Sequence, residues 1–180
     1  WLETQENYLK QTYRNRCVIA AANGPQALTV PIVKPETLKC LTKDIRISDH
    51  GNWRHLHWNA LVSAYRMSPF FEYYEEDFAP FYEKKYEFLL DFNEALREVI
   101  CRLIDMQPDI HYTTEYQPEV NADFREIIRP KHEGVDPSFQ PIPYYQVFQE
   151  KLGFLPNLSI VDLLFNMGPE SLLILQKSIR

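Results

Sequence analysis

Arg14 and Arg16 stand one residue apart in the run Lys10-Gln-Thr-Tyr13-Arg14-Asn15-Arg16-Cys17. On a β-strand, residues two apart project from one face. Neighbouring guanidinium groups repel each other unless an anion lies between them. The planar fork of arginine suits a carboxylate or a phosphate, and Lys10 supplies a third positive charge. In the other reading, both arginines pair with acidic side chains on a solvated strand face. Both readings stand at this point.

A second set lies in Asn52-Trp53-Arg54-His55-Leu56-His57-Trp58. On a helix, residues two apart do not face each other, so His55 and His57 do not form a metal pair. Either one alone is a candidate general base near neutral pH, or else a boundary histidine bonded to backbone. Further on come Ser63, Tyr65 and Ser68, then Glu72-Tyr73-Tyr74-Glu75-Glu76-Asp77. Carboxylates this dense can hold a hard cation. On a helix they point around much of the circumference, which favours a solvated acidic face. Glu72 lies nearest the break at Pro69. A last set is Asn157, Ser159, Asp162 and Asn166. Ser159 and Asp162 have the spacing of a capping box with Asp in place of Glu. Asn166 fits a C-terminal turn. A helix start there also suits an anion.

These residues need elements to position them. Tyr13–Gly24 and Gln26–Val33 read as two strands joined at Asn23-Gly24, with Pro25 and Pro31 at edge positions. Asp44–Ser48 alternates as a half-buried strand. Trp58, Leu61, Val62 and Tyr65 mark one face of a helix that starts near Trp53 and breaks at Ser68-Pro69. A helix over Phe70–Phe78 is expected to break near Pro80. A long helix follows from Tyr82 to Met106, with its stripe at Leu89, Phe92, Leu96, Val99, Ile100, Leu103 and Ile104. Asp109–Tyr116 reads as a short strand, Phe124–Ile128 as a short helix and Lys131–Pro143 as a loop. Helices are expected at Tyr144–Leu152, closed by Gly153, at Ile160–Asn166 and at Glu170–Ile179. The fold class is mixed α/β: a small N-terminal sheet or hairpin, then a mostly helical C-terminal two-thirds, in a single domain over 1–180.

Composition sets limits on function. The chain has 180 residues, 45% of them hydrophobic and 14% aromatic, enough for a sizeable core. A net charge of -6 argues against a general nucleic-acid binder. No apolar run approaches the roughly 18 residues of a membrane span. Cys17, Cys40 and Cys101 form neither a disulfide framework nor a CxxC, so reduced thiols in a cytoplasmic protein are expected. The five glycines build neither GxGxxG nor a P-loop, and GxSxG, HExxH and DxD are absent too. No metal site and no cofactor is assigned.

Four blocks in order carry a resemblance: Glu6–Cys17, Ala22–Ile32, His57–Asp77 and Phe154–Ser171, with Thr113–Lys131 as a weaker fifth. The chain resembles the WbqC-like family of bacterial proteins, Bacteroidetes type. Family members open with a strand and a Tyr-Leu-Pro run upstream of the position of Trp1, so the chain is expected to lack its N-terminal strands. The resemblance implies an α/β protein of surface-polysaccharide or related biosynthesis, associated with O-antigen sugar modification by amino or acyl transfer. Carried onto this sequence, it points to Tyr13, Arg14, Asn15 and Arg16, to His57, Ser63, Tyr65 and Glu72, and to Asn157, Ser159, Asp162 and Asn166. The expectation is a transferase acting on an activated, phosphate-containing donor, free or carrier-linked. Its catalytic group is His57 as base, Glu72 orienting it and Tyr65 at the transition state. Tyr13, Arg14, Asn15, Arg16, Ser63, Asn157 and Asn166 bind substrate. The alternative is a non-catalytic protein that binds a polysaccharide precursor or a partner enzyme through Phe70, Phe71, Tyr73 and Tyr74.

Overall fold

Asn15 sets the start of the first strand. Its backbone N–H turns back to Thr12 O, while its side-chain Nδ2 donates to Val30 O at 3.0 Å and Val30 N–H donates to Asn15 O. The carboxamide thus replaces the backbone donor that would have extended the ladder. In the computed structural model, which describes residues 1–10, 12–37, 39–130 and 136–180, strand β1 spans Arg16–Ala21. It pairs antiparallel with β2, Gly24–Thr29. The expected hairpin is present and shorter than expected. Arg14 lies in the turn ahead of β1, so the expectation that it shares a strand face with Arg16 fails for the reason Asn15 supplies.

The hairpin turn is Ala22-Asn23, and the positive torsion falls on Gly24 (φ 117°). Ala20 N–H donates to the Tyr65 hydroxyl, and Val18 O accepts from Ser159 N–H at 2.7 Å. These groups point away from β2, so Pro25, opposite Ala20, stands where the ladder needs no donor. The same two bonds cover the outer edge of β1. Asp44–Ser48 keeps its alternation, with Ile45 and Ile47 buried, but forms single bridges Ile32↔Ile47 and Arg46↔Phe88 instead of a regular strand.

Helix α1 spans Trp53–Tyr65 and buries Trp53, Leu61, Ala64 and Tyr65. Helix α2 runs Phe71–Glu83, with Pro80 inside it. Proline in a helix interior costs about 3 kcal/mol. Here Phe78 and Phe81 bury themselves on either side of it and hold the helix together. Helix α3 is Leu89–Leu103, starting later than expected because Phe88 is extended and bridges to Arg46. Leu89, Phe92 and Ile104 of its stripe are buried, the rest of the stripe is half-buried, and Cys101 beside it is buried too.

Two of the three C-terminal helices are shorter than their patterns suggest, while the middle one matches its expected start and runs one residue further. Helix α4 is only Gln149–Leu152, capped by Gly153 (φ 71°). Gln146 ties the chain before it to Leu155, its Oε1 accepting from Leu155 N–H and its Nε2 donating to Leu155 O, both at 2.9 Å. Helices α5, Ile160–Met167, and α6, Ser171–Lys177, close the chain. The segment expected as a strand at Asp109–Tyr116 contributes one parallel bridge, Leu2↔Tyr112. Phe124–Ile128 makes one turn, with Ile128 N–H on Phe124 O at 2.9 Å. Part of the expected loop at Lys131–Pro143 lies outside the described residues.

Two apolar clusters form the core. One gathers Ile19, Tyr65, Phe71, Phe78 and Phe165, and the other Ile45, Trp53, Phe81, Leu89 and Phe92. Tyr82 and Leu96 pack against both. No helix among the described residues is long and apolar enough to cross a membrane.

Candidate functional site

Glu3 builds one wall of the main cavity. Its Oε1 accepts from Thr113 Oγ1 at 2.9 Å and from Gln5 N–H at 2.6 Å, and its Oε2 accepts from Gln117 N–H at 3.3 Å. Leu2 N–H reaches His111 O, and Thr113 N–H reaches Leu2 O. These bonds strap the stretch after α3 onto the N-terminal segment. Between that strap and the first turns of α3 opens a cavity of about 1050 Å³. Tyr13, Arg14, Asn93, Glu115 and Arg125 are among the residues lining it.

Arg14 is held from two sides. Asn93 Nδ2 donates to its carbonyl at 2.7 Å, and its guanidinium pairs with Glu6. Burial lowers the Arg14 pKa, and the positive charges of Arg129 and Arg125 lower it further, against a smaller pull from Glu126 and Glu3. Arg125 is chelated by Asp123, Nε to Oδ1 at 2.8 Å, and stands 4.0 Å from Glu3. Arg129 pairs with Glu126. Three guanidinium groups therefore share one neighbourhood, with carboxylates around its edge.

The other expected site residues are placed as follows. Tyr13 lines the cavity, and its hydroxyl accepts from Asn157 Nδ2 at 2.9 Å. Asn157 adopts φ 58°. Asn15 is buried and serves the strand start. Arg16 donates from Nε to Thr29 Oγ1 at 3.0 Å. Ser63 is exposed on a separate cavity of about 730 Å³ beside the hairpin turn. Glu72 is exposed in the first turn of α2. His57 packs between Trp53 and Tyr82 and donates to the Thr29 carbonyl. Burial pushes its pKa down to about 4, so the imidazole is neutral at pH 7 and far below the pKa that suits a base. Neither His57, Tyr65 nor Glu72 lines the cavity at Arg14.

Tyr65, Asp162 and Asn166 come together elsewhere, in the core. Tyr65 and Asp162 are both fully buried. Tyr65 and Tyr144 donate their hydroxyls to the two Asp162 oxygens, each at 2.8 Å, and Gln146 Nε2 adds a longer bond at 3.4 Å. Asn166 Nδ2 donates to Asp162 O at 2.7 Å. Burial raises the Asp162 pKa, and these donors oppose the rise. The expected capping box is not formed. Ser159 makes no side-chain cap bond, and Asp162 points inward. Of the aromatic surface expected at Phe70, Phe71, Tyr73 and Tyr74, Phe71 is buried against Phe165 and only Tyr73 is largely exposed. Phe71 opens the helix on its core face.

The sequence reading missed Arg125 and Arg129. Their signal was present: two arginines four residues apart, one within the expected Phe124–Ile128 helix and one just after it, in an acidic chain. Among the described residues no group of three or more His, Cys, Asp or Glu side chains is placed to hold a metal ion.

A family model described as the WbqC-like protein family matches residues 1–130 and 125–174. The chain belongs to the WbqC-like protein family. This WbqC-like protein is also similar to the uncharacterized protein Rv1507c of Mycobacterium tuberculosis. The two are 26% identical over 189 residues, covering 91% of this chain and 81% of the relative. No solved structure matches the WbqC-like chain. The cavity at Arg14 draws on the first family block, through Tyr13 and Arg14, and on the weaker block around Arg125.

Proposed function

We propose that this WbqC-like protein is a transferase-type enzyme of bacterial surface-polysaccharide or related biosynthesis, and that the cavity beside Arg14 holds the phosphate-bearing end of an activated donor. One observation carries the reading. Arg14 and Arg125 line the cavity and Arg129 stands close enough to act on Arg14; each is paired with a carboxylate, and together they offer forked donors to an anion entering the cavity. The volume suits a ligand of cofactor or sugar-nucleotide size.

Tyr13 and Asn93 stand beside Arg14 to orient the donor. An amine or hydroxyl acceptor must lose a proton during transfer. Among the wall carboxylates, Glu94 is engaged by Arg97 and Tyr112, and Asp123 by Arg125. Glu115, exposed at the same wall, is the group assigned to take that proton.

The test is a thermal-shift panel of pyrophosphate, nucleotide-sugars and acyl-coenzyme A on the wild type and on Arg14→Gln and Arg129→Gln. A ligand at 100 times its Kd stabilises by about 2.7 kcal/mol, roughly 5–10 °C for a chain of this size. The expected result is a shift that both variants weaken. If no anion shifts the wild type, the proposal fails.

A further inference from the structure

Phe124 and Ile128 stand four residues apart on the same turn that carries Arg125 and Arg129. Residues at that spacing stack along one face. The turn therefore presents an apolar strip, Phe124 and Ile128, beside a cationic strip, Arg125 and Arg129. Phe124, Arg125 and Ile128 all line the cavity at Arg14. Phe124 and Ile128 remain 46% and 59% exposed, and Val120 beside them 48%. Deeper in the same cavity lie Leu89 and Leu90 of α3. Large apolar side chains left open at the mouth of an apolar-floored cavity mark a place where an apolar ligand group is buried.

We propose that this cavity takes an amphipathic anion, a phosphate or carboxylate head carrying an aliphatic tail. The head lies among Arg14, Arg125 and Arg129, and the tail runs from Leu90 past Phe124 and Ile128. The inference rests on the anion-site reading above and adds the chemistry of what the anion is attached to. A ligand made only of sugar and phosphate leaves Phe124 and Ile128 against polar groups and gains nothing from them. An aliphatic chain gains about fourfold in affinity for each methylene it buries.

The experiment measures Kd by titration calorimetry for ethyl phosphate, octyl phosphate below its micelle concentration, octanoate and octyl glucoside. Octyl phosphate is expected to bind at least tenfold tighter than ethyl phosphate, with octyl glucoside far weaker. In the Phe124→Ser/Ile128→Ser variant, whose changed residues are exposed and do not endanger folding, that gain disappears while ethyl phosphate binds as before. Octanoate binding as tightly as octyl phosphate identifies a fatty-acid-type ligand, and octanoate binding weakly identifies a phosphorylated one. Both outcomes support the proposal. Equal affinity for ethyl and octyl phosphate, both lost in Arg14→Gln, overturns the tail and leaves the anion site standing. If none of the anions binds, both readings fall.

Discussion

The Tyr65 hydroxyl donates to Asp162 Oδ2 across 2.8 Å and accepts from Ala20 N–H at 3.1 Å, so one oxygen ties α5 to α1 and α1 to the outer edge of β1. The carboxylate, fully buried, takes its other oxygen to Tyr144. This explains why Asp162 faces inward: a short acidic side chain at the start of α5 meets two hydroxyl donors from separate parts of the chain. The Tyr65 hydroxyl is fully buried and its proton is committed to Asp162, so in this structure it holds these elements together.

Tyr65→Phe removes that oxygen and keeps the ring. It orphans one Asp162 oxygen and the Ala20 N–H. Leaving a buried polar group without its partner costs about 1–3 kcal/mol. With two groups orphaned, the expected outcome is a loss of about 2–6 kcal/mol in urea-melt stability and a Tm lower by several degrees or more. An unchanged Tm would show that water replaces the hydroxyl.

His57 gives the fold a sensitivity to acid. Its folded pKa of about 4 lies below the ordinary 6.5. The stability it contributes is present above pH 6.5 and is lost as the pH falls from 6.5 toward 4. Asp162 acts in the opposite sense: its raised pKa favours the folded state at low pH, and that benefit fades as the pH rises above 3.8. Comparing the wild type with His57→Gln cancels the Asp162 contribution. The variant is expected to lose less stability between pH 7 and pH 4.5, measured by urea unfolding. Parallel pH profiles for the two proteins would contradict this account.

Gly168 is required twice over. Its torsions, φ 53° and ψ -126°, are closed to other residues, and a Cβ built there would lie 2.5 Å from Phe70 Cδ1. Gly168→Ala is expected to destabilise by about 2–6 kcal/mol, combining backbone strain with overpacking. Adding Phe70→Ala should relieve the clash but not the strain, so the double variant recovers only part of the loss relative to Phe70→Ala alone. Full recovery in this cycle, read from melting curves, would mean the torsion is not strained.

The helix faces were legible in the sequence because the periodicity is local. Leu61 and Tyr65 in α1, and Leu89, Phe92 and Ile104 around α3, are spaced by the turn of a helix and are buried as that spacing implies. Where tertiary contacts overrule local pattern, the reading failed. Asn15 shortens β1 by donating to Val30, and Gln146 ties the chain before α4 to Leu155 in place of a longer helix. The cavity was half legible. Arg14 stood out by its type, and the family resemblance added Tyr13, while the strand-face spacing of Arg14 and Arg16 did not hold. Their approach to Arg125 depends on Glu3 reaching Thr113, a contact between residues 110 apart in sequence, which no local pattern encodes.

Pro80 shows the same competition between local cost and packing. It lies within α2, where it removes a hydrogen bond that Ala would make, yet the helix continues to Glu83. Burial of Phe78 and Phe81 on either side offsets the cost, since each fully buried aromatic contributes about 1.5–3 kcal/mol. Pro80 itself is exposed, so its ring fills no core space. Pro80→Ala is therefore expected to stabilise the protein by about 1–3 kcal/mol, the helix-interior penalty less the extra freedom the unfolded chain gains. A Tm raised by several degrees, with an unchanged far-ultraviolet circular dichroism spectrum, is the outcome sought. A lower Tm would mean that the backbone geometry Pro80 imposes is itself needed to bring Phe81 onto Tyr86 and Phe92.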